Sequence, residues 1–191
     1  QTAFLKAHYP VAYMASLLTV NAGSSDKMQR YISNCYSMGI DVISPSINSS
    51  GIDFTIKKDQ ILFGLSAIKN LGDSAIRNII DNRNKLGSFK SFSDLCDRLP
   101  SNILNKRNIE SLIHCGALDE FSENNNRAQL FSDLEYVMEW ASSRNRDRIS
   151  GQGNLFDSIS KNENKDFSLS QGSKVEDYSL IEKLKLEKQL L

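Results

Sequence analysis

Residues 68–76, Ile68-Lys69-Asn70-Leu71-Gly72-Asp73-Ser74-Ala75-Ile76, decide how the chain is read. A short helix is predicted to end near Lys69, a tight turn holds Gly72, and a second helix begins at once. Over residues 73–84, Ala75, Ile76, Ile79 and Ile80 fall on one helical face. A turn of this kind points several backbone N–H groups outward. The start of the second helix adds unpaired donors and a partial positive dipole. The combination can hold a phosphate without a cationic side chain.

The stretch resembles a helix–hairpin–helix motif, which binds DNA backbones without reading base sequence. The usual hairpin reads Gly-hydrophobic-Gly, and here Asn70 occupies the first glycine position. Asparagine tolerates a left-handed backbone better than most residues, so the turn can survive. Asp73 caps the helix start but places a carboxylate where phosphate would approach. Read alone, the stretch also describes an ordinary corner between two helices. A weaker copy lies at residues 105–121, where Leu112-Ile113-His114-Cys115-Gly116-Ala117-Leu118 is again helix, glycine turn and apolar restart. Two such hairpins would pack as a compact four-helix unit. Lys106 and Arg107, at the start of the preceding helix, are in reach of phosphate, although a solvated helix face carries such residues equally well. The candidate DNA contacts are therefore Lys69, Asn70, Leu71, Gly72, Ser74, Lys106, Arg107 and Gly116.

Towards the N-terminus, a helix is expected over residues 2–19, broken near Tyr9 by Pro10. A second spans 26–38, opened by Ser25 or Asp26 and closed by Gly39. Its apolar stripe is Met28, Tyr31, Ile32, Cys35 and Met38. Phe54 and Ile56, then Ile61, Phe63 and Leu65, alternate with polar residues around a turn at Lys58-Asp59, which predicts a β-hairpin over about 53–65. It is the only β structure expected. Towards the C-terminus come helices at 91–98, with Phe92 and Leu95 inward, and at 105–115. A longer helix follows at about 125–147, with Leu130, Phe131, Leu134, Val137, Met138 and Ala141 as its stripe. Residues 150–174 read as a mobile polar linker. Residues 175–191 read as an amphipathic helix that stops without a capping signal, and both ends of the chain look cut. The fold class is mainly α with one small β-hairpin: a tandem helix–hairpin–helix unit followed by a long helix and a flexible linker.

Composition narrows the function. Of 191 residues, 40% are hydrophobic and 24% charged, enough for a real core. No apolar run approaches the roughly 18 residues of a membrane span, and no signal peptide is visible. Cys35, Cys96 and Cys115 lie far apart at apolar positions, which fits buried thiols in a reducing cytoplasm better than a zinc site. The 23 basic and 23 acidic residues cancel, so backbone geometry must do much of any DNA binding. His8 and His114 lack a partner at a telling spacing, and no Asp-x-Asp pair is present to hold magnesium. No catalytic residue, metal site or cofactor is assigned.

One apolar island interrupts the linker: Gln152-Gly153-Asn154-Leu155-Phe156. Exposed bulky side chains are costly there. The pattern looks like the peptide that bacterial proteins insert into the sliding clamp, with Leu155 and Phe156 filling an apolar pocket and the Gln152 amide at its rim. Chance, or a local staple against a helix, gives the same five residues.

Taken in order, QTAFLKAHYPVAYMASLL, DKMQRYISNCYSMGIDVISPSIN, ILFGLSAIKNLGDSAIRNII, NKRNIESLIHCGALDEF, NRAQLFSDLEYVMEWA and SGQGNLFD resemble the bacterial replicative DNA polymerase III alpha subunit, a family C polymerase. The resemblance implies that residues 1–65 are the end of the fingers domain and 66–124 a tandem helix–hairpin–helix region gripping duplex DNA. It makes 125–149 a connecting helix and 150–174 a linker with the clamp-binding peptide. Residues 175–191 would lead into an oligonucleotide-binding barrel. It implies template–primer DNA, the sliding clamp and other holoenzyme subunits as partners, with no membrane role. Nucleotidyl transfer would use Mg2+ in the parent enzyme, on palm aspartates that have no match here. Asn70 and Ser74 depart from the family's glycines. Two other classes stay open: a helix–hairpin–helix scaffold from a repair protein, and a purely protein-interacting helical domain.

Overall fold

Pro10 divides the first helical stretch as its missing N–H requires. A computed structural model describes residues 2–99, 102–122, 126–149 and 174–191, and in it α1 covers Thr2–His8 and α2 Pro10–Val20, with Pro10 at the first position of α2. Helix α3 covers Ser25–Ser37. It starts one residue earlier than its expected caps, on Ser24, whose side chain makes no capping bond. Gly39 follows with φ +72, the left-handed conformation that ends helices. Met28 and Cys35 are buried, while Tyr31, Ile32 and Met38 pack around them.

The predicted hairpin forms from β2 (Thr55–Lys57) and β3 (Gln60–Leu62). Lys58 and Asp59 both take positive φ, as a two-residue hairpin turn matched to strand twist demands. The hairpin is not alone. Strand β1 (Val42–Ile43) pairs in parallel with β3, giving the order β1-β3-β2. Two residues are too short to show alternation, so this edge strand had no pattern to betray it.

Downstream, α4 (Asp73–Leu86), α5 (Phe92–Arg98), α6 (Lys106–His114) and α7 (Arg127–Ile149) share one core. Ala75, Ile76 and Ile79 from α4, Phe92 and Leu95 from α5, Ile109, Leu112 and Ile113 from α6, and Leu130, Leu134, Val137 and Ala141 from α7 are all buried in it. Phe131, expected in the α7 stripe, is instead 39% exposed and stacks on His114 at 5.1 Å between ring centroids. A second core joins α2, α3 and the sheet through Met14, Leu18, Met28, Cys35, Phe54, Ile61 and Phe63. Between them, Leu65 and Ile68 face the first core and Ala67 the second.

The loop after β1 also crosses over. Ile47 sits in the helical core, its N–H donates to the Ala117 carbonyl at 2.9 Å, and Arg83 donates to the Ile47 and Ser50 carbonyls. The last helix is shorter than expected. Residues 174–179 are irregular, and α8 covers Leu180–Leu190 behind a capping box between Ser179 and Glu182. Asp177 lies ahead of that cap, and its carboxylate is engaged with α7 and Lys183, as described below. No helix among the described residues is long and apolar enough to cross a membrane.

Candidate nucleic-acid interface

The turn ahead of α4 differs from its expected form in one respect: its first helix is reduced to one 3-10 turn, Leu65–Ala67. Asn70 takes the left-handed conformation, at φ +67, that an asparagine tolerates at that position. Gly72 is the N-cap of α4 with φ −76 and ψ 156, an extended conformation open to any residue. A Cβ built on it would meet nothing within 4 Å. No side chain caps α4, and its first N–H groups have no partner among the described residues, as helix geometry leaves them. Gly72, Asp73 and Ser74 are all exposed, while Leu71 is buried at 7% exposure and anchors the turn in the core.

Asn70 is held by α6. Its side-chain amide donates to Ser111 Oγ at 3.1 Å, and its carbonyl accepts from Asn108 Nδ2 at 2.6 Å. The fold thus brings the first candidate turn beside the first turn of α6, where Lys106 and Arg107 are exposed. Lys106 pairs with Glu135 of α7. The hydrogen bond and charge of Glu135 raise the Lys106 pKa, and those of Lys106 lower that of Glu135. Lys69 is also engaged: its N–H donates to Leu190 O at 3.0 Å and its Nζ to Gln189 O at 2.8 Å. Arg77, one turn into α4, is an exposed cation that sequence reasoning passed over.

The second glycine turn is filled from inside. Gly116 takes φ +84 and is buried, its N–H donating to Ile113 O at 3.0 Å. A Cβ there would lie 2.3 Å from the Arg127 guanidinium. Arg127, itself 5% exposed, donates to both carboxylate oxygens of Asp119 (2.7 and 2.8 Å), to Glu187 (2.7 Å) and to the His114 carbonyl (3.2 Å). Burial alone would lower its pKa, but the bonds from Asp119 and Glu187 outweigh that and hold it above the ordinary arginine value. The helix after this turn is closed as well. The Asp177 carboxylate accepts from the N–H groups of Arg127 at 3.0 Å and Ala128 at 3.4 Å, and it pairs with Lys183. Of the two turns, only the one at Asn70–Ser74 is open to an outside anion.

Asn108, Ser111, Arg127 and Asp177 were missed in the sequence. The Asn105-x-x-Asn108 spacing does announce the capping box found at α6, but nothing local links Asn108 to Asn70. Gln152, Leu155 and Phe156 lie outside the described residues. Those residues contain no group of three or more His, Cys, Asp or Glu placed to hold a metal ion. Burial pushes the Cys96 and Cys115 thiols up to about 12, which leaves them inert at neutral pH.

Residues 39–130 match the family model described as a helix-hairpin-helix motif. Among curated proteins, the chain is similar to the DNA polymerase III subunit alpha of Thermus aquaticus, at 46% identity over 82% of this chain and 12% of that protein. It is 41% identical to the subunit of Deinococcus radiodurans and 36% identical to that of Borreliella burgdorferi, each over 100% of this chain, but spans only 14% and 16% of their lengths. With relatives this similar along its whole length, the chain belongs to the DNA polymerase III alpha subunit family, of which it represents one limited stretch.

Proposed function

We propose that this stretch serves a DNA-directed DNA polymerase of chromosomal replication by holding duplex template–primer DNA through its sugar–phosphate backbone and by tethering the enzyme to the sliding clamp. The observation that carries the first half is the open start of α4. Among the described residues nothing requires glycine at position 72, where φ is ordinary and an added Cβ would touch no neighbour. Absence of a side chain there has a use if something outside must approach the N–H groups of Gly72, Asp73 and Ser74 closely. A phosphate of a DNA strand is suited to those donors and to the dipole behind them. Arg77 and Arg107 add positive charge near the turn, and none of these groups reads a base.

The second half rests on Gln152, Leu155 and Phe156. A peptide of that pattern gives modest affinity on its own. Linked to a segment already on DNA, it acts at an effective concentration of roughly millimolar, which is how a weak contact sustains long synthesis. Nucleotidyl transfer and its Mg2+ belong to residues elsewhere in the enzyme, and no step of it is assigned here. Residues 1–65 then serve as the end of the fingers, 66–124 as the DNA grip and 125–149 as a connecting helix. Residues 150–174 carry the clamp peptide and 175–191 approach the next domain, in a cytoplasmic enzyme with further holoenzyme partners.

Two measurements test the two halves. The chain should bind duplexes of unrelated sequence with equal affinity in dilute buffer, and failure to bind any of them refutes the grip. Replacing Leu155 and Phe156 by Ala should abolish capture on immobilised clamp, and retained capture refutes the tether.

A further inference from the structure

We infer that Asn108 is a positioning residue for DNA binding: from inside α6 it holds Asn70 in its left-handed conformation, so that the open start of α4 and the first turn of α6 meet the duplex as one surface. The inference rests on the duplex-binding reading above and names the device that sets its geometry.

Asn108 is 7% exposed, and every polar atom of its side chain is used. Its Oδ1 accepts from the Asn105 N–H at 3.0 Å, while Asn105 Oδ1 accepts from the Asn108 N–H at 3.0 Å, which closes the capping box of α6. Glu or Gln is the usual residue at this third helical position. A Glu would complete the box but has no amide to give away. Asn108 does both, since its Nδ2 reaches the Asn70 carbonyl at 2.6 Å. One turn on, Ser111 is 3% exposed and accepts from the Asn70 side chain at 3.1 Å. Residues three apart on a helix lie on one face, so the two bonds act side by side.

The target of this clip is the single non-glycine residue with positive φ outside the hairpin turn among the described residues. An asparagine there has an ordinary alternative at negative φ. Such a flip would swing Leu71 and Gly72 and redirect the N–H groups that open α4. With the Asn70 side-chain amide and carbonyl tied to α6, the flip breaks two part-buried bonds to the buried Asn108 and Ser111, and the turn stays aimed. The same bonds fix α6, and with it Arg107, relative to α4.

The test uses the whole chain and a fluorescent duplex of arbitrary sequence. Asn108→Asp keeps the oxygen that closes the capping box and removes the donor to Asn70. Ser111→Ala removes the other bond without adding charge and serves as the second variant should the first fail to fold. Losing one of these part-buried hydrogen bonds is expected to weaken duplex binding by about three- to tenfold for either variant. In a Gly72→Val background, where the seat itself is blocked, both should cost nothing more. In an Arg107→Ala background they should cost less than in the wild type, because part of their effect is to hold Arg107 in register with the start of α4. A purely structural role for Asn108 would instead give losses that persist beside Gly72→Val and follow the unfolding temperature. If Gly72→Val weakens binding while the Asn108 and Ser111 variants bind as the wild type does, or their losses add to that of Gly72→Val, the inference is overturned and the grip stands. If the wild type ignores duplex DNA, the grip fails and takes the inference with it.

Discussion

Replacing Arg127 by Met should detach α8 and lower stability by about 3 kcal/mol. The side chain is 6% exposed and faces Asp119 and Glu187, themselves 24% and 26% exposed. Methionine keeps the apolar stem and removes the guanidinium, leaving two partly buried carboxylates and the His114 carbonyl without their donor. Breaking a buried ion pair from one side costs about 3–5 kcal/mol. The partial exposure of both carboxylates places the cost at the lower end. For a chain of this size that corresponds to a fall of about 6–12 °C in the unfolding midpoint. Differential scanning calorimetry reads the midpoint, and hydrogen exchange localises the loss to amides of residues 180–190. Arg127→Lys should recover only part of it, because an ammonium cannot bond both oxygens of Asp119 and reach Glu187 as well. A midpoint within about 1 °C of the wild type, with α8 still protected, would refute the reasoning.

Gly116→Ala should also destabilise, by about 1–3 kcal/mol, since the added methyl would press on the Arg127 guanidinium and the backbone is left-handed there; in an Arg127→Met background the penalty should shrink, which chemical denaturation of the four proteins checks. Gly72→Val should lower stability by no more than about 1 kcal/mol, the cost of a β-branched N-cap, because no described atom lies within 4 Å of its Cβ, yet weaken duplex binding at every sequence alike; unchanged affinity in calorimetric titration argues against the hairpin role. His114, half-buried between the Phe131 and Tyr178 rings, has its pKa lowered by burial first and by Arg127 after that. The unfolded chain therefore takes up the proton before the folded one does. Stability should hold above the ordinary value of 6.5 and fall as pH drops below it, and His114→Gln should remove that part of the slope in melts across this range.

Sequence periodicity was a good guide wherever a residue's fate depends on near neighbours. Pro10 broke the first helix, Gly39 closed α3, and Lys58-Asp59 turned the hairpin, because each acts through its own backbone angles. The apolar stripes of α4, α6 and most of α7 found the core for the same reason. What the pattern missed was set by distant partners. Strand β1 is made by β3, and Phe131 lies partly outside the core, stacked on His114. At the turns, the sequence pointed to the left-handed Asn70 and to both glycines, but not to the residues that hold or fill them. Asn70 carries the left-handed turn, and its stability comes from Asn108 and Ser111, about forty positions away. Gly116 is glycine to admit Arg127, a requirement invisible without the fold. Asp177 looked like part of the last helix, but it caps α7 across the interval that separates them. An acid capping a helix start within the chain and a phosphate bound there from outside use the same donors, so sequence alone cannot tell a filled turn from an open one.

The dependence of duplex affinity on salt tests the central claim most directly. A protein that neutralises Z phosphates loses affinity with a log–log slope of about −0.9 per phosphate. Measured for several duplexes of unrelated sequence, the account predicts one common affinity in dilute buffer and a common slope of at least about −1.8, equivalent to two phosphates. No binding at low salt, an affinity indifferent to salt, or a preference for particular base sequences would contradict a grip made by the open amides ahead of α4.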